Sequence, residues 1–334
     1  MLSLFFYDPT EKDPLSSVRG IGRYLKVLRE AFPGARFSSE LSQASKYDIF
    51  FNPFCNITQP PLLMRRVAKR QIVVIHDVIP LLYPKHFPLG IKGSLNVFLH
   101  KTALRSYDIV LTDSEKSKKD IIQFLNIRPE KISVIYPALS QEFFGPSKKT
   151  TSEFTPPEKY CIYVGDATWN KNLVALAQSV IISDLSCICV GQVFSRDNKS
   201  VSHPWQEELK RFLTVVRDNP QFIFPGFISD PTLRDLYKNA VCNLLVSRDE
   251  GFGYSYFEAA SQDTPSVLSD IPVLRETAGK TALFAPYNDP EAIADQILRF
   301  AKDPILRNRM GALAKKNTQK ASLAVFKKSL QAAF

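Results

Sequence analysis

The chain has 334 residues, 45% of them apolar and 11% aromatic, which is long enough for two domains and apolar enough for sizeable cores. No stretch approaches the roughly twenty consecutive apolar residues that a membrane-spanning helix requires. The opening MLSLFFYDPT has no basic region before its short apolar run, so we interpret it as a first β-strand and not as a signal peptide. The sequence predicts a cytoplasmic globular protein and argues against the disordered and membrane-spanning classes.

The net charge of +10 is concentrated in the first half of the chain. Residues 1–150 carry 22 Lys and Arg against 13 Asp and Glu, whereas residues 151–334 carry 21 against 20. Such an excess can hold an anionic partner such as a phospholipid surface, or it can simply keep the protein soluble. Two basic segments, RRVAKR at 65–70 and KSKK at 116–119, are the candidates for electrostatic docking to a membrane. Without a recognisable nucleic-acid-binding module, we expect no nucleic-acid partner.

The cysteines and carboxylates give little indication of a metal site. The five cysteines are odd in number and lie mostly within apolar runs, which predicts reduced thiols in the core. Cys187 and Cys189 form a C-x-C without a second pair nearby, and the chain contains no Asp-x-Asp that could hold a Mg²⁺-bound nucleotide. The sequence therefore predicts chemistry that needs no metal.

In chain order, helix-length segments such as GIGRYLKVLREAF and EKSKKDIIQFLN alternate with the apolar runs LSLFFY, YDIFFN, QIVVIH, DIVLTD and KISVIY. This alternation predicts a parallel sheet covered on both faces. A segment rich in Pro, Ser, Thr and Lys follows, and the rhythm restarts with YCIYVG, SCICVGQ, QFIFPGF, AVCNLLVS and PSVLSD. From Asp289 onward the periodicity is helical.

We therefore predict an α/β protein of two tandem Rossmann-like, doubly wound domains. The first domain spans residues 1–150, and the second spans residues 151–334 and is closed by the C-terminal helices. Strand ends that face one another would form an interdomain cleft, where we expect the functional residues.

Two features of the first domain are candidates for this cleft. His76 directly follows the run QIVVI, so its imidazole could hydrogen-bond a substrate hydroxyl or phosphate, with Asp77 orienting it. The alternative is a histidine satisfied by backbone groups. The segment RGIGRY at 19–24 places Gly20 and Gly22 at a helix start, where the backbone can approach a phosphate, although the spacing is not that of a dinucleotide-binding fingerprint.

The second domain carries the remaining candidates. The segment YVGDATWNKN puts Gly165 at a strand end and Lys171 at a helix start, where a lysine can meet a diphosphate. The segment RDEGFGYSYFEAAS at 248–261 predicts a strand, a glycine turn and a helix N-terminus that attracts phosphate. Glu258, about one turn into this helix, could accept two ribose hydroxyls, and Glu250 could face a transferred sugar. A solvated lysine and a glutamate that complements the helix dipole are the simpler alternatives.

Taken in order, the motifs GIGRY, VVIHDVIPLLYP, TDSEKSKKDII, VIYPALS, YVGDATWNKN and the segment at 250–286 resemble a known enzyme group. They are similar to the retaining glycosyltransferases of GT-B fold, the mannosyltransferase-like families 1/4. The resemblance runs from about residue 18 to residue 300 and is most specific over residues 250–286. It implies a nucleotide-diphosphate-sugar donor bound mainly by the second domain, an acceptor held mainly by the first, and no further cofactor.

The same likeness implies roles for individual residues. Lys171 matches the lysine that neutralises the diphosphate, Glu250 the glutamate near the donor sugar, and Glu258 the glutamate that holds the ribose. His76 matches the active-site histidine, so the resemblance implies His76, Glu250 and Lys171 as catalytic residues. Donor binding is expected to involve Lys171 and Glu258 together with Gly20, Gly22, Gly165, Gly251, Phe252 and Gly253.

The chain departs from the family pattern in three places. Many members carry an arginine shortly before the lysine, whereas this chain has none from Asp166 to Lys171. The usual GFGLP is GFGYS, with Tyr254 and Ser255, and the usual ACGTP is SQDTP, with Asp263. These departures concern the identity of the donor and the strength of diphosphate binding.

The sequence thus predicts a hexosyltransferase, cytoplasmic or peripheral at the inner face of the membrane. It would move a sugar of mannose, rhamnose or glucose type to a glycan or lipid-linked acceptor during polysaccharide biosynthesis. Two alternatives stay open: a sugar-nucleotide epimerase of GT-B fold, which uses no separate acceptor, and a nucleotide-sugar-binding protein without transfer activity.

Overall fold

The computed structural model describes residues 2–11, 20–145, 155–194 and 203–334. The chain forms two compact units, Met1–Ser140 together with Lys320–Phe334, and Gln141–Gln319. Each unit is built around a six-stranded sheet whose neighbouring strands are all parallel. The predicted α/β class with two doubly wound sheets is therefore confirmed.

The sheet of the first unit carries a separate hydrophobic core on each face. Its strands are β1 (Leu4–Tyr7), β2 (Arg36–Ser38), β3 (Ile49–Asn52), β4 (Arg70–Val74), β5 (Ile109–Thr112) and β6 (Ile132–Val134), in the order β2-β1-β3-β4-β5-β6. Phe5 and Phe50 belong to one core, and the next residues along their strands, Phe6 and Phe51, belong to the other. Because successive side chains of a strand point to opposite faces, these apolar runs require helices on both sides.

The helices of the first unit include one whose two ends match recognisable sequence signals. They are α1 (Gly20–Ala31), α2 (Ile79–Leu82), α3 (Gly90–Ala103) and α4 (Glu115–Leu125). The side chain of Ser114 caps α4 by accepting the Ser117 N–H at 3.0 Å, and Asn126 ends it in the left-handed conformation. Both are residue types that favour these positions, so the predicted helix EKSKKDIIQFLN forms where its sequence places it.

The second unit repeats the architecture around its own sheet. Its strands are β7 (Tyr160–Val164), β8 (Ser186–Val190), β9 (Phe222–Gly226), β10 (Cys242–Leu245), β11 (Ser266–Ser269) and β12 (Leu283–Ala285), in the order β12-β11-β10-β7-β8-β9. Its helices are α5 (Leu173–Ser183), α6 (Glu207–Val215), α7 (Asp230–Asn239), α8 (Tyr254–Ser261), α9 (Pro272–Ala278), α10 (Pro290–Lys302) and α11 (Pro304–Asn317). Cys242, Cys161 and Cys187 lie in register across three neighbouring strands and are fully buried, which confirms them as core thiols.

All ten apolar runs form strands, but two short strands were not predicted. These are β2 and β12, each three residues long and each at one edge of its sheet. An edge strand is paired on one side only, so it needs no long apolar run, and three residues give no recognisable periodicity.

Helices α10 and α11 belong to the second unit, as predicted, but the last segment, Lys320–Phe334, belongs to the first unit, which corrects the prediction for the final helix. Helix α12 (Leu323–Ala333) buries Phe326 and Leu330 in the core that contains Phe6 and Tyr24. Tyr24 and Phe326 meet edge to face, with ring centroids 5.8 Å apart. The helical periodicity was visible in the sequence, but the core that receives the helix was not. The predicted boundary at 150/151 lies outside the described residues.

We expect Phe326→Ala to destabilise the first unit by about 3–5 kcal/mol, because it removes a buried aromatic ring and leaves a cavity. Hydrogen exchange followed by mass spectrometry should show faster exchange for amides of β1 and β3 and unchanged exchange in the sheet of the second unit. Val325→Ala, at an exposed position of the same helix, is the matched control. Unchanged exchange in β1 and β3 would mean that α12 is not part of this core.

Candidate functional site

The strand order of the second unit identifies a binding position at the carboxyl ends of its strands. The chain winds outward from β7 to β8 and β9, and then returns to the other side of β7 with β10. The loops that leave β7 and β10 therefore diverge at the carboxyl end of the sheet. In open α/β sheets this point of reversal is where ligands bind. Lys171 follows β7 and Glu250 follows β10.

Lys171 and Glu250 form an ion pair at this carboxyl end of the sheet. The Lys171 ammonium donates to both carboxylate oxygens of Glu250, at 2.7 and 2.9 Å. The hydroxyl of Ser247 donates to the same carboxylate at 2.6 Å. Glu250 is only 6% exposed, so its charge is matched by partners and not by water. The two residues that the sequence proposed for separate roles are thus in direct contact.

The two loops are joined by hydrogen bonds around this pair. The Arg248 N–H donates to the Asn170 carbonyl at 2.7 Å, and the Asn170 amide donates to the Asp249 carbonyl at 3.0 Å. The Asn172 amide donates to the Val246 carbonyl at 2.9 Å. These bonds fix the loop that carries Lys171 against the loop that carries Glu250.

The Arg248 side chain adds a second ionic contact to this arrangement. Its guanidinium donates to the Trp169 carbonyl, lies 4.9 Å from the centre of the Trp169 ring, and pairs with Glu208 at 3.2 Å. Glu208 is buried in α6, and its other oxygen accepts the Val174 N–H at the start of α5 at 3.2 Å. Sequence reasoning missed both Arg248 and Glu208. The position of Arg248 directly after an apolar run was the only available signal.

The glycine loop at 251–253 leads into α8 through an unusual backbone conformation. Gly253 has φ 92°, and a Cβ atom there would lie 2.7 Å from Leu274 Cδ2, so only glycine fits. The turn starts α8 at Tyr254, where the first N–H groups of the helix can receive an anion. The Phe252 ring stacks on Phe257 with centroids 4.8 Å apart, so its aromatic ring belongs to the core. The predicted contact of Phe252 with the donor stays a prediction and would involve its main-chain groups.

Glu258 lies one turn into α8, as the sequence predicted, and is 1% exposed. The Tyr237 hydroxyl donates to its Oε2 at 3.0 Å. A carboxylate has two acceptor oxygens, and Tyr237 occupies one hydrogen-bond position on Oε2. Tyr237 therefore fixes the carboxylate of Glu258, a hydrogen-bond acceptor, in the helix that follows the glycine loop.

The fold requires glycine at position 165 whether or not a ligand binds there. A Cβ atom on Gly165 would lie 2.8 Å from the Tyr163 hydroxyl, and one on Gly191 would lie 2.3 Å from the Gly165 carbonyl. The ends of β7 and β8 thus approach too closely for larger residues. Its predicted donor contact stays a prediction.

In the first unit, His76 and Asp113 lie at the carboxyl ends of neighbouring strands β4 and β5. His76 Nδ1 is 2.7 Å from the Asp113 carboxylate, and Nε2 is 3.2 Å from the Pro53 carbonyl. We expected Asp77 to orient the ring, but its Oδ1 accepts the Ile79 N–H at 3.0 Å, and Asp113 makes the hydrogen bond instead. Like His76, Asp113 directly follows an apolar run, which was the signal that could have found it.

Both acceptors around the His76 ring favour its protonated form. Burial alone would lower the pKa of His76, but the charge and hydrogen bond of Asp113, with smaller contributions from Asp77 and the Pro53 carbonyl, raise it above the ordinary value. An imidazolium can donate from both nitrogens at once, which matches the two contacts. Asp113 therefore favours the protonated form of His76 and orients its ring at the carboxyl end of the first sheet.

The helix that begins at the glycine motif of the first unit contacts His76. Helix α1 begins at Gly20 as predicted, with Gly22 in its first turn, whereas Arg19 of the motif lies outside the described residues. Two residues further on, the Tyr24 ring meets the His76 ring edge to face, with centroids 5.0 Å apart. The start of α1 and His76 therefore belong to one cluster.

One departure from the family pattern has a conformational explanation. Asp263 adopts φ 60° in the turn after α8, a conformation that glycine favours and aspartate tolerates. Its carboxylate pairs with Lys315, and its carbonyl approaches Gly311 so closely that a Cβ there would lie 2.0 Å away. Asp263 therefore contacts α11, and its backbone conformation gives this departure a role in the fold.

The comparisons with known proteins agree with this architecture. Residues 147–317 match the family model of glycosyl transferases group 1, and residues 6–143 match that of glycosyltransferase family 4. The chain belongs to the group 1 glycosyl transferases. The predicted membership of glycosyltransferase families 1/4 is thus confirmed. In the described part of the chain no helix is sufficiently long and apolar to cross a membrane.

Curated relatives and solved structures extend this result. The O-antigen chain mannosyltransferase RfbU of Salmonella typhimurium is 28% identical over 68% of this chain and 59% of its own length. The O-antigen chain mannosyltransferase B of Escherichia coli is 25% identical over 73% and 64%. The match thus spans about three fifths of each relative. The structure of Anabaena Alr3699/HepE in complex with UDP and glucose has a TM-score of 0.70 at 14% identity, covers 100% of this chain and 99% of its own, and supports the GT-B fold.

We expect the His76–Asp113 pair to make stability depend on pH. Because its folded pKa is raised, His76 contributes stability that is fully present below its unfolded value of about 6.5 and is lost as the pH rises through the folded pKa. Asp113→Asn should lower the pKa of His76 and remove this dependence. The chain has four histidines, so an NMR titration of their ring protons can resolve each one. A His76 midpoint unchanged by Asp113→Asn would contradict the assigned pair.

Proposed function

We propose that the chain is a retaining hexosyltransferase that moves a sugar from a nucleotide-diphosphate donor to a glycan or lipid-linked acceptor. The observation that carries the proposal is the Lys171–Glu250 pair beside the glycine loop, at the reversal point of the sheet in the group 1 glycosyl transferase region. A cation, a carboxylate and a helix N-terminus in one place suit a ligand that combines phosphates with hydroxyls.

The donor side is assigned to the second unit. Lys171 and the N–H groups at the start of α8 would meet the diphosphate, Glu250 would accept sugar hydroxyls, and Glu258 would accept ribose hydroxyls. The complexes of Alr3699/HepE with UDP and with UDP-glucose support a nucleotide-sugar donor. The names of the curated relatives favour mannose as the sugar and an O-antigen type glycan as the acceptor.

The acceptor side is assigned to the first unit, with His76 as its polar group. In the described part of the chain, its Nε2 lies 3.2 Å from the Pro53 carbonyl, whereas Nδ1 has the stronger, ionic partner in Asp113. A substrate hydroxyl can therefore take the place of the Pro53 carbonyl while Asp113 keeps the ring oriented. The basic character of residues 1–150 further suits a phosphate-bearing lipid acceptor at the cytoplasmic face of a membrane.

The proposal is tested by incubating the protein with UDP-, GDP-, dTDP- and ADP-sugars, with and without a glycan acceptor, and by identifying the products. A glycoside whose anomeric configuration equals that of the donor, formed only with acceptor, is expected. An epimerised nucleotide sugar formed without acceptor would instead identify an epimerase. Donor binding without any turnover would identify a binding protein.

We expect Glu258→Gln to weaken donor binding by about 1.5–3 kcal/mol, the scale of a hydrogen bond to a charged group. Thermal-shift titration measures this, since a donor at a hundred times its dissociation constant stabilises the fold by about 2.7 kcal/mol. Glu291→Gln, at an exposed position in the first turn of α10, is the control. Equal donor affinity in a folded Glu258→Gln variant would rule out the ribose role.

Transfer activity should survive EDTA, because Lys171 and main-chain N–H groups are proposed to balance the diphosphate charge without a divalent cation. The measurement is the initial rate of sugar transfer after dialysis against EDTA, compared with the rate after readdition of Mg²⁺ or Mn²⁺. Rates within about twofold of each other are expected on this mechanism. Activity lost in EDTA and restored by metal would reverse it.

A further inference from the structure

Helix α3 exposes a continuous apolar stripe. Ile91, Leu95 and Phe98 are 91%, 55% and 66% exposed, and their spacing of four and three residues places them on one face of the helix. Exposed apolar residues of soluble proteins are normally scattered singly, whereas a continuous patch marks a surface that contacts something.

The opposite face of α3 already has its partners in the first unit. The Asn96 amide donates to the Thr58 carbonyl at 2.9 Å, and His100 Nε2 lies 2.9 Å from the Gln59 carbonyl. Gly93 and His100 are buried on this side. The helix is therefore held against the first unit by one face. The apolar stripe lies on the opposite face, which is exposed.

The charges around the stripe are all of one sign. At about 100° per residue, Lys92 and Lys101 lie roughly 90° to either side of the apolar stripe. Residues 78–107 contain no Asp or Glu, whereas Lys85, Lys92, Lys101 and Arg105 are all exposed. In the described part of the chain these four cations have no ion pair.

The basic segments that the sequence suggested for docking are less available. In RRVAKR, Arg66 pairs with Asp108 at 2.6 Å and Lys69 pairs with Asp48 at 2.9 Å. In KSKK, Lys116 pairs with a carboxylate on the next turn of α4, also at 2.9 Å. Three of the seven cations in these two segments are therefore paired locally, whereas in the described part of the chain the cations around the α3 stripe have no ion pair.

We propose that α3 docks the first unit on an anionic phospholipid bilayer. Ile91, Leu95 and Phe98 enter the boundary between headgroups and acyl chains, while Lys92 and Lys101 extend sideways to the headgroup phosphates. The apolar stripe is complementary to the acyl chains, and the lysines that border it are complementary to the negative charge of the headgroups. The docking itself does not depend on the proposed function. Only its purpose does, which is to bring the first unit to a lipid-linked acceptor.

The test is co-sedimentation of the full chain with vesicles of phosphatidylglycerol and phosphatidylcholine, and with vesicles of phosphatidylcholine alone, at low and high salt. Neither donor nor acceptor is present, so the result is independent of transfer activity. We expect binding to the anionic vesicles that weakens as salt rises. The triple substitution Ile91→Ser, Leu95→Ser, Phe98→Ser should reduce the partition coefficient by about tenfold or more, because insertion scales with buried apolar area.

Matched controls separate docking from general effects of charge and solubility. Ile182→Ser, Phe227→Ser, Ile305→Ser removes three exposed apolar side chains of the second unit and should leave vesicle binding unchanged. Lys85→Gln, Lys92→Gln, Lys101→Gln should reduce binding to anionic vesicles, whereas Lys238→Gln, Lys302→Gln, Lys316→Gln, all exposed in the second unit, should not. The apolar triple variant and the lysine triple variant of the first unit change only exposed side chains, and equal thermal unfolding temperatures would verify their folding.

Three results would overturn the proposal. The first is absence of binding to anionic vesicles at low salt, and the second is equal binding by the α3 triple variant and the wild type. The third is a concentration-dependent dimer, seen by analytical ultracentrifugation, that the α3 substitutions dissociate while vesicle binding is unaffected. That result would assign the stripe to a second copy of the chain. Transfer to a soluble acceptor, assayed separately, would stand or fall independently of all three.

Discussion

A glutamate carboxylate that is only 6% exposed needs a cation and hydrogen-bond donors around it, and this requirement organises the carboxyl end of the sheet in the second unit. Glu250 obtains them from Ser247, on its own loop, and from Lys171, 79 residues earlier in the chain. Removing one partner of such a pair typically costs about 3–5 kcal/mol, since the other charge remains buried. The two loops are therefore restricted to one arrangement, which Arg248 and Asn170 reinforce through main-chain hydrogen bonds.

In the proposed function, this ion pair also couples recognition of the donor's diphosphate, by Lys171, to recognition of its sugar, by Glu250. A diphosphate that attracts Lys171 competes with Glu250 for the same ammonium group. As the ammonium turns toward phosphate, the carboxylate regains acceptor capacity, which sugar hydroxyls can use. Recognition of the diphosphate and recognition of the sugar would then depend on each other. A nucleoside diphosphate without its sugar would leave Glu250 short of partners and should bind less well than the complete donor.

The sequence predicted the sheets well, because buried parallel strands are continuous apolar runs and ten such runs were present. It also placed His76 and Lys171 after strands. It did not predict that Asp113 holds His76, or that Lys171 contacts Glu250, because contacts between distant segments follow from strand order and register, which apolar periodicity does not encode. The replacement of glycine by Asp263 was visible as a departure, but its left-handed backbone conformation was not.

Helix α12 has a consequence for how the chain acquires its structure during synthesis. The second unit is continuous in sequence from Gln141 to Gln319, so the ribosome delivers all of it in one stretch. The first unit is delivered in two parts, and its core lacks Phe326 and Leu330 until the end of α12 has emerged. The earlier-synthesised unit is thus the later one to complete its core, and in the interval it exposes the apolar surface that α12 will cover. A nascent chain in this state is a natural substrate for chaperones that recognise exposed apolar surface.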